Sequence, residues 1–235
     1  MRSDFVGIVS VILVVIAIIC TGCTSQTTTS PNESVPVPAA SGTSTANSPS
    51  LAASPTLPQI GSIVSSTSIF SKNYNWYEYQ ATTAAGGKTT TMDMKTERST
   101  GTYQGKSAIH YTITETSSAD NFNMVFDTYA DPSSYAILGG TMTTTFNGQK
   151  TTTDIPQIQI SQQAVTNFEK AAPLTFAGTE PVSVPAGSYP AANKYTRTVN
   201  DTTITHWSAS GIPVPVKTVT SFPSGSITSE LVGWG

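Results

Sequence analysis

Charge is scarce in this chain: Asp, Glu, Lys and Arg make up 11% of its 235 residues, against about 25% in ordinary soluble domains. The 11 basic and 14 acidic side chains leave a net charge of -3, and the lysines stand singly from Lys72 to Lys217. No basic stripe exists to neutralise phosphates, so nucleic acid is not expected as a partner. Cysteine is scarcer still, with only Cys20 and Cys23, both near the N-terminus, and the bulk of the chain can form neither a disulfide nor a thiolate metal site. Histidine supplies only His110 and His206. The Gly-x-Ser-x-Gly elbow, the zinc-binding helix motif, the phosphate loop and the calcium loop are all missing. Abundant Ser and Thr do not make a hydrolase without a base and an oxyanion site. The expectation is a protein that is not an enzyme and holds no metal or cofactor.

What is present begins with a leader. Arg2 precedes an apolar run from Val6 to Ile19, broken only by Gly7 and Ser10, and the run closes on Cys20-Thr21-Gly22-Cys23. A run of about 14 residues suits a secretory signal, since a membrane span needs roughly 20. Its end resembles the lipobox of bacterial and archaeal lipoproteins. That resemblance implies a signal peptide over residues 1–22, cleavage after Gly22 and lipidation of Cys23; Cys20 departs from the aliphatic residue the family prefers there. The alternative is an uncleaved signal anchor from Val6 to Gly22. Both readings place the C-terminal bulk outside the cytoplasm, at the cell membrane. One acyl chain holds a membrane weakly and two hold it stably, so a diacyl-type modification would anchor the chain permanently.

Residues 23–56 continue from the lipidated Cys as a tether. Pro31, Pro36, Pro38, Pro49 and Pro55 stand among Ser, Thr and Ala, with Glu33 the one charge. Such a segment cannot bury enough apolar surface to offset its ordering entropy. As a coil of about 33 residues it would average roughly 30 Å end to end and could stretch to about 100 Å. Asn32-Glu33-Ser34 is a glycosylation sequon within it, and Asn200-Asp201-Thr202 is a second one further on.

Residues 57–235 form the folded domain, mainly β. Ile60, Ile63, Val64 and Thr67 fit one face of a short helix. From Tyr74 the apolar period becomes two. Trp76 to Thr83 and Lys88 to Glu97 read as a hairpin around Gly86-Gly87, followed by strands over Ser107 to Thr116 and Asn121 to Tyr129. Tyr135 to Phe146 and Lys150 to Ile160 flank Asn147-Gly148, a strong hairpin signal. Ser161 to Ala172 reads as an amphipathic helix capped by Ser161 and stopped by Pro173. Strands follow over Thr179 to Val184, Tyr189 to Val199, Thr202 to Ala209, Val214 to Phe222 and Ile227 to Trp234, with turns at Asn200-Asp201 and Pro223-Ser224-Gly225. Alternation of apolar residues with Thr implies one buried and one wetted sheet face. One or two short helices cover little of such a sheet, so the expected architecture is a strongly curved antiparallel half-barrel of about nine strands.

The C-terminal third carries a second resemblance. Thr179-Glu180-Pro181-Val182-Ser183-Val184-Pro185-Ala186-Gly187-Ser188-Tyr189, then His206-Trp207, then Gly211-Ile212-Pro213-Val214-Pro215-Val216-Lys217 and Glu230-Leu231-Val232 resemble the closing meander of envelope proteins related to the lipoprotein-localisation factors. The resemblance implies a bent antiparallel sheet capped by helices, several relatives holding acyl chains in its hollow. It carries over no ligand-contacting residue, because the shared pattern consists of strand and turn residues.

Trp76, Tyr79, Met92, Met94, Phe122, Met124, Phe126 and Met142 fall on neighbouring strands, and methionine adapts well to irregular apolar ligands. They read either as the lining of a lipid-binding pocket or as plain core. His110 and His206 alternate with apolar neighbours and are expected on the wetted face. Asp120, Asp127 and Asp131 bracket one strand; a glycosidase needs two carboxyls roughly 5 to 9.5 Å apart across a cleft, and nothing fixes that spacing, so they read as solvated turn residues. The functional expectation is a membrane-anchored lipoprotein that binds or shields an apolar ligand. A structural or adhesive envelope protein without a pocket is the alternative, and an extracellular hydrolase ranks below both. Nothing in the composition sets an oligomeric state.

Overall fold

The computed structural model describes residues 62–64, 74–117, 121–158 and 170–235. The leader with Cys23 and the tether with Asn32 lie outside these residues. Twelve strands run in chain order: β1 (Ile63–Val64), β2 (Trp76–Ala85), β3 (Lys88–Tyr103), β4 (Lys106–Ser117), β5 (Phe122–Ala130), β6 (Ile137–Phe146), β7 (Gln149–Ile155), β8 (Leu174–Val184), β9 (Gly187–Val199), β10 (Thr202–Ser208), β11 (Lys217–Phe222) and β12 (Gly225–Trp234). They pair into one sheet in the order β1-β8-β9-β10-β11-β12-β2-β3-β4-β5-β6-β7. Every pairing is antiparallel, as expected for strands joined mostly by tight turns.

Two meanders, β2 to β7 and β8 to β12, meet where the C-terminal strand enters the middle of the sheet. There Thr228 pairs with Thr82 and Glu230 with Gln80. The junction is tied at its end: the Gly235 carbonyl accepts from Asn75 N–H at 2.6 Å, and Gly235 N–H donates to the Trp76 carbonyl at 3.0 Å. The turns between strands show why the chain reverses where it does. Gly86 and Gly87 have φ of +57° and +74°, Asn147 and Gly148 +49° and +80°, the pair of left-handed residues that matches the twist of a two-residue hairpin.

Four expectations are corrected here. Among the described residues the sheet is open, its end strands β1 and β7 unpaired with each other, and it is not strongly curled, so the expected half-barrel is not formed there. Among the described residues it holds twelve strands rather than about nine, the eleven alternating segments each contributing one and Ile63–Val64 one more. Those two residues were expected on a helix but pair with Leu174 and Thr175 of β8; they are β-branched and follow Gly61, both unfavourable to helix. Of the helix expected over Ser161 to Ala172, only the end is described, and Lys170 and Ala171 there are helical. The strand expected from Val214 begins at Lys217. Pro213 and Pro215 lack the N–H a ladder needs, and segment 209–216 packs as a buried connector instead.

That connector explains how an open sheet acquires a core. Val214, Val216 and Leu231 are fully buried and cluster with Tyr77, Tyr79, Val182, Ala192 and Trp207. Val216 N–H donates to the Trp207 carbonyl at 2.7 Å, and Leu231 N–H to the Val216 carbonyl at 2.9 Å. The Tyr79 hydroxyl donates to the Pro215 carbonyl. Ala186, in the turn between β8 and β9, donates its N–H to the Leu231 carbonyl at 2.9 Å. Bending is thus local, at a bulge in β12 between Leu231 and Gly233, where an extra residue increases twist. A second cluster, Ile113, Met124 and Phe126 with Met94, Phe122, Met142 and Ile155 against it, lies in the other meander.

Candidate ligand-binding face

Register decides which of the sequence-nominated residues meet. Met94 of β3 lies opposite Glu115 of β4, which lies opposite Met124 of β5. One row along, Thr96, Ile113, Phe126 and Met142 are aligned across β3 to β6. On the other side, Ser117, Phe122 and Phe146 are aligned. Side chains two apart on a strand share a face, so Met94, Ile113, Phe122, Met124, Phe126 and Met142 form one apolar strip over four adjacent strands. Met92 is on the same face, opposite Ala81 of β2. Ile113, Met124 and Phe126 are buried, Phe122 and Met142 are half-buried, and Phe146 is 52% exposed. The strip therefore opens towards the β6 and β7 edge.

Trp76 is not part of this strip. It stands opposite Glu97, on the other face, where its ring lies beside Gly233 and Gly235 with the Lys95 ammonium 5.9 Å from the ring centroid. Cys23 and Asn32 lie outside the described residues. Asn200 occupies the tip of the β9–β10 hairpin, exposed and with φ of +52°.

Glu115, which the sequence reading did not single out, is only 4% exposed in the middle of the strip. Burial raises its carboxyl from 4.5 to about 7, because a charged carboxylate loses its hydration there. A signal for it was present: the alternation that aligns Ile109, Tyr111 and Ile113 continues onto Glu115.

The two histidines differ from each other, and only His206 departs from expectation. His206, expected on the wetted face, is buried at 5% exposure, with Nδ1 3.0 Å from the Thr218 hydroxyl. Burial first, and then the Arg197 charge, lower its pKa from 6.5 to about 4. It shares the face of the apolar strip, because Thr218, Ser229, Ala81 and Met92 follow it in one row. His110 is on the other face, its Nε2 against Asp127 Oδ1. Its ring stacks on Tyr129 at 4.6 Å, and Tyr129 stacks on Tyr103 at 4.9 Å. Five strand spacings, roughly 24 Å, separate the histidines, so they form neither a dyad nor a metal pair.

The carboxylates do not face one another across a cleft either. Asp127 is mid-strand with His110, while Asp131 accepts from the Ser133 and Ser134 N–H groups at 2.9 and 2.8 Å, which hold its carboxyl below the usual range; Asp120 lies outside the described residues. Among the described residues no group of His, Cys, Asp and Glu could hold a metal ion, and no helix is long and apolar enough to cross a membrane.

The opposite face carries cross-strand threonine pairs beside the Trp76, Trp207 and Tyr129 rings. Thr143 and Thr152, and Thr198 and Thr203, join hydroxyls across strands at 3.1 and 3.2 Å. Glu180 there accepts from the Trp207 indole at 2.6 Å and from Lys194 at 3.2 Å.

Fold and face together define a large open antiparallel sheet protein with an apolar strip on one side and cross-strand threonine pairs on the other. No protein family matches the chain, and no curated protein does. Among solved structures it is distantly similar to a DUF1329 family protein from Desulfovibrio piger, at 11% identity over 68% of this chain and 85% of that one, with a TM-score of 0.32. It is also similar to a candidate exported protein of YmcC-like fold from Bacteroides fragilis, at 13% identity over 71% of this chain and 98% of that one, with a TM-score of 0.34. The likeness lies in the large antiparallel sheet.

Proposed function

We propose that this chain is a non-enzymatic lipoprotein of the cell envelope, anchored outside the cytoplasm through Cys23, whose sheet shields an apolar ligand such as an acyl chain. The observation that carries this reading is the strip of Met94, Ile113, Phe122, Met124, Phe126 and Met142, shared by four adjacent strands and open at one edge. The half-buried Phe122 and Met142 at its open half suit an irregular apolar occupant, the thioether above all. The C-terminal resemblance to the lipoprotein-localisation factors supports the same reading. Its hairpin of β8 and β9 turns at Pro185-Ala186, and its Trp207 sits in the core.

Native mass spectrometry of protein purified without detergent tests it. A bound lipid mass, or retention of a fluorescent fatty acid displaced by unlabelled lipid, is the expected result. A clean polypeptide mass that retains no fatty acid would remove the proposal. The structural or adhesive alternative draws on the hydroxyl face, where threonine pairs cross β6–β7 and β9–β10. Binding of purified protein to cell-wall or surface-layer material, without any lipid bound, would favour it.

A further inference from the structure

β7 ends the sheet with its outer side bare. Among the described residues it pairs only with β6, in a register that runs without a bulge from Phe146 and Gln149 to Gly140 and Ile155, and Gln149 to Asp154 are all exposed. The other end of the sheet, β1, pairs over two residues only and is too short to offer such an edge. Phe146 and Gln149 flank a two-residue turn and exchange the first hydrogen bonds of their hairpin, and antiparallel ladders bond at alternate residues. Lys150, Thr152 and Asp154 therefore turn their N–H and C=O groups away from β6. A bulge and an internal proline, which blunt many edges, are missing from Gln149–Ile155.

Lys150 and Asp154 share one face of β7 with Thr152 midway between them. Roughly 14 Å of strand separates the two charges, too far for an ion pair within the chain, and the ion pairs of the described residues leave both out. An edge lysine alone repels a second copy of its own strand; an aspartate placed symmetrically about Thr152 reverses that. We propose that β7 is a homodimer interface, two copies joining edge to edge and antiparallel about a two-fold axis at Thr152. This register sets Lys150 of each copy opposite Asp154 of the other, twice by symmetry. It also matches outward-turned backbone with outward-turned backbone, for about six hydrogen bonds. A shift of two residues one way brings Pro156, which has no N–H, opposite Lys150; the other way it strands Asp154 against the Gly148 turn. An unrelated strand would have to repeat the Lys-x-x-x-Asp spacing that this chain already carries. Thr151 and Thr153, opposite Thr144 and Met142, form the seam on the other face, so the apolar strips of both copies lie on one side of a continuous sheet. The interface needs no ligand in either strip.

Sedimentation velocity of the full-length protein in a density-matched nonionic detergent reads the polypeptide mass, and a reversible dimer is the expected result. Lys150→Asp and Asp154→Lys, both at exposed positions, set like charges opposite each other and should each weaken the dimer at least about tenfold. The two together restore opposite charges in swapped order and should recover the parent affinity. Thr152→Cys should form a disulfide dimer under mild oxidation, because opposed residues at the axis are about 5.5 Å apart at Cα. Lys150→Cys, roughly 14 Å from its own counterpart, should not, and the parent chain oxidised alongside accounts for Cys20 and Cys23. A monomeric parent chain overturns the proposal. A dimer that neither charge reversal weakens, and that Thr152→Cys does not cross-link, uses another surface and overturns it equally.

Discussion

The indole N–H of Trp207 donates to Glu180 Oε1 at 2.6 Å, linking β10 to β8 across the intervening β9. Lys194 of β9 holds the same carboxylate from between them, its ammonium 3.2 Å from Oε1 and 5.2 Å from the Trp207 ring. The Trp207 bond, more than the Lys194 charge, holds the Glu180 carboxyl below its ordinary range. Trp207 is itself buried in the main cluster, so one side chain joins the core to a half-exposed ion pair.

Trp207→Phe should therefore destabilise the protein by about 1–3 kcal/mol, from a lost charge-assisted bond and a poorer fit. Glu180→Gln keeps an acceptor for the indole and loses only a charge that solvent already screens, so it should cost below about 1 kcal/mol. Urea unfolding midpoints of the two variants test the order; equal losses would show that the bond contributes nothing beyond packing.

Much of this architecture was legible. Period-two alternation located eleven of the strands, and Gly86-Gly87 and Asn147-Gly148 gave their own turns. What escaped was set by contacts distant in sequence. Val214 to Val216 alternate like a strand, yet Pro215 and its neighbours leave the ladder because Tyr79 and Leu231 provide a better place for them. His206 alternates with Trp207, and the wetted face was inferred from that; both faces are covered there, with Tyr195 and Ile204 close by on its own face. The strip was foreseeable for its methionines and phenylalanines, whereas excluding Trp76 required the register of β2 on β3. Closure into a half-barrel was argued from uncovered area, and local bending at the β12 bulge took its place.

Glu115 should make stability fall with rising pH. Its folded pKa is raised from 4.5 to about 7, so between those values the folded state keeps a proton that the unfolded state has released. Its contribution is complete below about pH 4.5 and is lost as pH rises through about 7, roughly 3 kcal/mol in all. Glu115→Gln should remove that slope and be more stable than the parent chain at about pH 8. A parent chain with no such loss relative to the variant would contradict the buried position.

His206 should act in the opposite direction. Its folded pKa is lowered from 6.5 to about 4, so the unfolded state binds the extra proton between these values. Stability is full above about pH 6.5 and is lost as pH falls through about 4, again roughly 3 kcal/mol. Over the overlap of the two windows the slopes of His206 and Glu115 largely cancel, giving the parent chain a nearly level profile. His206→Gln should expose the fall towards neutral pH, and Glu115→Gln the fall towards acid. Denaturant midpoints measured across the range would show both slopes, or sink the pairing if either variant stays level.

The turn between β3 and β4 offers a gain rather than a loss. Gln104 and Gly105 have φ of +50° and +78°, the same left-handed pair as at Asn147-Gly148. Glycine accepts that conformation freely, but a glutamine side chain does not, and it lacks the short reach by which Asn and Asp bond their own backbone in such turns. The strand leading into this turn runs to Tyr103, past the Glu97 at which the sequence expectation ended it. Gln104→Asn should raise stability by about 0.5–1 kcal/mol, with its thermal midpoint moving upward by a few degrees. Gln104→Val, β-branched and forced to positive φ, should lower it by more than that. Calorimetric scans of the two variants beside the parent chain would decide it: no gain from Asn together with no loss from Val would mean that the hairpin is held by its strands and not by its turn.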